Sequence, residues 1–203
     1  MNNANDNLTN AFRIVKQTLD EASILLSDLD DQLTNDESPF KSLHTGYEIG
    51  TESSNSLNVG EKWLKKFAMR YFLPKSQKNE YEYLLGIGVA YNFENSPGES
   101  PKLILGIIQN EIPITNNEKY YYWWIPFLYD SKSLHKYEPN MSSRSELKAK
   151  EWYKVDPSPC NEHNLPLFES GHLYFMDLLD VKTKEEVNLL AEELKSRYKT
   201  IFK

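Results

Sequence analysis

Gly86 and Gly88 stand two apart in one strand-like run, and Gly106 stands in the next. If a hairpin pairs Gly88 with Gly106, and a third strand sets Trp124 beside Gly106, five residues share a sheet face. They are Gly86, Gly88, Gly106, Tyr122 and Trp124. Glycine inside a strand often marks the close approach of a ligand or another backbone. A flat, aromatic-floored pocket for a ring or a peptide is the chemistry such a face offers. The same residues also read as packing, with Trp124 lying over the glycines or a helix taking the room.

A second group is basic. Lys62, Lys65, Lys66 and Arg70, followed by Lys75 and Lys78, are interleaved with Trp63, Phe67 and Tyr71. Cations beside rings can track phosphates while bases stack. Lys62, Lys65, Lys66 and Arg70 are therefore the candidate phosphate binders. Against this, the formal net charge is −7, which weakens long-range attraction to a polyanion. Nucleic acid is not the expected partner. The plainer reading is a solvated face with its aromatics turned inward.

Cys160 and His163 have a Cys-x-x-His spacing, with His172 further on. Thiolate and imidazole suit zinc, but a site needs more ligands than one pair supplies. No metal is expected. Asp177 and Asp180 have opposite strand parity, so a regular strand does not aim both at one ion. Glu185 and Glu186 suit a helix N-terminus. The chain has no Gly-x-Ser-x-Gly, no P-loop and no His-Glu-x-x-His. Gly86-Ile87-Gly88 lies inside a strand, the wrong context for a dinucleotide loop. No cofactor is expected.

The elements that must position these residues follow from periodicity. Phe12, Val15, Leu19, Ala22, Leu26, Leu29 and Leu33 form an a/d heptad seam. That spacing predicts one helix over Thr9–Leu33 with Thr9 as N-cap. Residues 1–8 are expected to fray, and 35–60 to form a long loop around Pro39, Gly46 and Gly50. Over Glu61–Leu73 the pattern fits a short helix turning into a strand near Phe67. Tyr81–Phe93 and Lys102–Glu111 alternate as strands, and Tyr120–Tyr129 is expected to continue them as an antiparallel meander. A proline-rich excursion spans 130–170, with a helix near Ser143–Trp152. It is expected to cover the sheet edge, or else to serve as a lid over the Trp124 face with Trp152 as plug. His172–Asp180 reads as a closing strand. Thr183 and Glu186 have capping-box spacing before a last helix, whose face is Val187, Leu190, Ala191, Leu194, Tyr198, Ile201 and Phe202.

Together these predict a single α+β domain over 1–203. It consists of an antiparallel meander of about five strands with long N- and C-terminal helices packed on one face. Thirteen Tyr, nine Phe and four Trp in 203 residues exclude a disordered chain. One cysteine excludes an intramolecular disulfide. No leader and no membrane-spanning run are visible, so a cytoplasmic location is expected. The expected function is a non-enzymatic binding or regulatory module. It would use a protein partner, or self-association, through helix 9–33. The alternative is an enzyme acting on a nucleotide, nucleic acid or other phosphorylated substrate through the basic stretch 62–78.

Overall fold

The computed structural model describes residues 2–43, 50–52, 67–78, 80–91, 100–114, 150–155 and 168–202. Helix α1 spans Asn2–Thr34. It starts earlier than the sequence suggests, so Thr9 lies inside the helix and is not its cap. Its end is built locally. Thr34 Oγ1 donates to the Asp30 carbonyl at 2.8 Å, and Ser38 Oγ donates to the Leu33 carbonyl at 2.5 Å. The second bond satisfies a carbonyl that the helix leaves open, and the first adds to one that the helix already uses.

The strands are β1 (Phe40–Ser42), β2 (Gly50–Glu52), β3 (Phe67–Pro74), β4 (Tyr81–Ala90), β5 (Lys102–Ile114), β6 (Trp152–Val155) and β7 (Phe168–Asp177). Helix α2 spans Lys184–Ile201. All described pairings are antiparallel, in the order β1-β3-β4-β5-β7-β6, with β2 also on β3. The fold class is α+β, as the sequence indicates.

Three expectations change. β1 and β2 lie inside the segment read as loop; strands of three residues are too short to show alternation. Trp152 opens a strand and does not end a helix. The neighbour of β5 is β7, which pairs along it from Lys102↔Asp177 to Asn110↔Phe168. Over Lys102–Asn110 β5 therefore has β4 on one side and β7 on the other, the side expected for residues 120–129. Those residues, the helical part of Glu61–Leu73 and the helix expected over 143–149 lie outside the described residues.

Parity divides the sheet into two faces. Ala68, Phe72, Leu85, Ile87, Val89, Leu103, Leu105, Ile107 and Met176 are buried in one cluster with the helices. From α1 this cluster takes Ala22, Leu25, Leu26, Leu29 and Leu33, and from α2 it takes Val187, Leu190, Ala191, Leu194 and Tyr198. Each of the larger aliphatic side chains contributes about 1.5–3 kcal/mol when withdrawn from water. Tyr198 meets Phe40 and Tyr83 edge-on, with centroids 5.0 and 5.7 Å apart. The opposite face carries Met69, Tyr71, Leu73, Leu84, Ile104, Ile108 and Leu173, all buried. A sheet buried on both sides explains why β4 and β5 read as near-continuous apolar runs. No helix among the described residues is long and apolar enough to cross a membrane.

Candidate functional site

The glycine face has a register two residues away from the expected one. Gly86 pairs with Gly106, and Gly88 pairs with Ile104. A shift of two keeps parity, so the three glycines still share a face, the one opposite the helices. Gly106's neighbour on β7 is Leu173, in the place proposed for Trp124. Met69 lies directly across from Gly88. A Cβ at Gly88 would fall inside contact distance of Met69 Sδ and of the Ala68 carbonyl oxygen. The approach that demands glycine here is made by the protein's own side chain and backbone. Tyr122 and Trp124 lie outside the described residues. Trp152, the expected plug, packs on the helix-covered face, away from these glycines.

The basic stretch divides. Lys62, Lys65 and Lys66 lie outside the described residues. Arg70 points to the helix face and is 5% exposed. Its Nε and Nη2 donate to Asp30 Oδ1 and Oδ2 at 2.9 and 3.0 Å. That two-pronged pair commits the guanidinium to α1 rather than to a ligand in solvent. Lys75 Nζ donates to the Asn35 carbonyl at 3.0 Å.

The acidic and thiol candidates do not converge. Cys160 and His163 lie outside the described residues. Asp177 accepts from Lys102 and Ser100, which hold its carboxyl below the usual range. Asp180 faces Lys150 at 3.3 Å. Among the described residues no three His, Cys, Asp or Glu side chains gather as a metal site.

His172 has a different setting. It sits in β7 opposite Lys154 of β6, on the helix face. Arg197 of α2 brings Nη2 to 3.0 Å from its Nδ1. Burial, then Arg197 and Lys154, push its pKa down to about 4. Arg197 also lies over the Trp152 ring, 5.6 Å from the centroid, and the Trp152 indole N–H donates to Glu193 at 2.6 Å. The sequence singled out His172 as a metal ligand only. Its actual neighbours come from distant β6 and α2, and no local spacing announces them.

α1 carries the remaining surface feature. Its seam is buried from Ala22 to Leu33, whereas Phe12 is 68% exposed and Ile14 60%. Val15 and Leu19 are partly covered. At ~1.5 Å per residue, the stretch before Ala22 adds about 30 Å of helix.

No known family, curated protein or solved structure matches this chain. The functional reading therefore rests on chemistry. Of the sequence candidates, Arg70, Asp177 and Asp180 are tied to partners within the protein. Two features are left with chemistry to offer, the exposed seam of α1 and the cationic corner at His172.

Proposed function

We propose that the chain is a non-enzymatic binding module that associates with a second copy of itself through the first half of α1. The observation that carries this reading is the exposure of Phe12, 68%, on the same heptad seam that is buried at Leu26, Leu29 and Leu33. Exposed large apolar side chains in register with a buried seam are what a second helix covers.

Charge favours a like partner. The positions flanking the exposed seam are Thr9, Ala11, Lys16 and Thr18, with one charge among them. Lys16 Nζ is neutralised along its own helix by Asp20 at 2.5 Å. Two copies thus meet without a clash of like charges, although the chain as a whole is acidic. An antiparallel two-fold pairing sets Phe12 of one copy against Val15 of the other, and reciprocally, as an isologous interface requires. The alternative of a phosphate-handling enzyme keeps Lys62, Lys65 and Lys66 but loses the support of Arg70, which is bound to Asp30.

Sedimentation equilibrium over a range of concentrations tests the proposal. The wild type is expected to approach twice the monomer mass, and Phe12→Asp with Val15→Asp to remain monomeric with an unchanged circular-dichroism spectrum in the strand region. A wild type that is monomeric throughout, or a variant that still dimerises, overturns it.

A further inference from the structure

We propose that Lys154, His172 and Arg197 form a binding site for an oxyanion, the phosphate or carboxylate group of a ligand. The site is separate from the seam of α1 and independent of the self-association reading. β6 is the last strand in the described sheet order, so this corner lies at the sheet's edge. Lys154 and His172 are direct cross-strand partners, and α2 lowers Arg197 onto the same face.

Lys154, Arg197 and one nitrogen of His172 each present a donor at this corner. A guanidinium has no lone pair to offer, so the 3.0 Å contact makes His172 Nδ1 the acceptor from Arg197. The imidazole proton then belongs on Nε2, where it is a further N–H donor. Arg197 Nε is buried without an acceptor. Lys154 is exposed and makes no hydrogen bond or ion pair among the described residues. Glu193, the carboxylate that reaches this corner from α2, accepts from the Trp152 indole N–H. Tyr174, across from Trp152, is a further titratable neighbour among the described residues, and its hydroxyl stays protonated.

The contrast lies within one molecule. Arg70, the other arginine set against the sheet among the described residues, has both prongs on a carboxylate. Arg197 has an imidazole and the face of an indole, and neither carries a charge. A buried N–H without a partner is costly, and a planar two-oxygen anion is the group that fits a guanidinium fork. The Trp152 ring beneath the guanidinium adds a cation–π attraction. An anion here would take hydrogen bonds from Arg197, His172 Nε2 and Lys154 Nζ, and would balance two cations set side by side.

The test is a nuclear magnetic resonance titration of the full chain with inorganic phosphate and, separately, with acetate, at ionic strength fixed by sodium chloride. Saturable shifts of the His172 ring and the Lys154 amide are expected. The His172 pKa should rise from about 4 when the anion is bound. Lys154→Gln, at an exposed position that does not hold the fold, should weaken binding about tenfold, the share of one charge-assisted hydrogen bond. Arg197→Gln should weaken it at least as much. Tighter binding of phosphate assigns a phosphorylated ligand, and tighter binding of acetate assigns a carboxylate. Shifts that stay linear with concentration and that chloride reproduces, or a Lys154→Gln variant that binds like the wild type, overturn the site.

Discussion

Asp30 of α1 holds Arg70 of β3 through both carboxylate oxygens, at 2.9 and 3.0 Å, inside the layer between helix and sheet. The pair fixes which face of α1 meets β3, because a slip of either element would leave a charge buried alone. Asp30→Asn is expected to destabilise the fold by about 3–5 kcal/mol in urea unfolding, since it removes the carboxylate from a buried ion pair. Adding Arg70→Met should recover most of that loss, because an apolar side chain of similar length needs no partner. A harmless single variant would show that water reaches the pair.

Leu26 is 2% exposed and Phe12 68% on one seam. Leu26→Ala should cost about 2–5 kcal/mol in the same assay. Phe12→Ala should change monomer stability by less than about 0.5 kcal/mol, the range of ordinary surface substitutions. Equal losses at the two positions would mean that the first half of α1 is packed in solution.

Gly88→Ala places a methyl group against Met69 Sδ and the Ala68 carbonyl oxygen. A loss of about 1–3 kcal/mol is expected from overpacking. Met69→Ala in the same chain should return only part of it, as the backbone oxygen cannot withdraw. Full recovery would place the whole conflict in the thioether.

Much of this architecture was legible in the residues, and the misses have physical causes. The a/d spacing of α1, the alternation of β4 and β5, and the Thr183–Glu186 box are local patterns, and each element forms in the expected segment, although α1 begins earlier, at Asn2. The Gly88–Gly106 pairing failed by two residues because either register keeps the same side chains on the same face. β7 beside β5 was missed because sequence periodicity does not encode which distant strand arrives. Arg70 was read as a surface cation because its type suggests solvent, whereas its partner Asp30 lies 40 residues away. Lys154, His172 and Arg197 come from three elements, so their meeting is a property of the fold alone.

His172 sets a pH dependence. Its folded pKa of about 4 lies below the ordinary 6.5. As pH falls through 6.5 the unfolded chain takes up this proton first, so stability declines between 6.5 and about 4 and this contribution then levels off. Asp177, whose carboxyl is held below its ordinary value, adds a further loss at lower pH, when Lys102 and Ser100 lose their acceptor. His172→Gln can still accept from Arg197 and does not titrate. Its urea midpoint should fall less steeply over the His172 window than that of the wild type. Parallel curves would mean that His172 titrates normally.

Thr183 Oγ1 accepts from the Glu186 N–H at 3.2 Å, and Glu186 accepts in return from the Thr183 N–H at 2.9 Å. Thr183→Ala should lower stability by about 1 kcal/mol, and Thr183→Asp should restore it. An alanine variant with an unchanged melting temperature would show that α2 is held by packing alone.

The insertion of β7 between β5 and β6 has a consequence for how the chain is made. β5 emerges from the ribosome well before its second neighbour, and synthesis at about 5–20 residues per second leaves that edge waiting several seconds for Asp177. The waiting edge is Leu103 to Ile108, an apolar ribbon of the kind that recruits other strands. A message cut short before β7 would therefore yield a sticky nascent product, not a smaller working domain. The segment from Phe168 to Ile201 carries both the strand that closes the sheet and the helix that covers it.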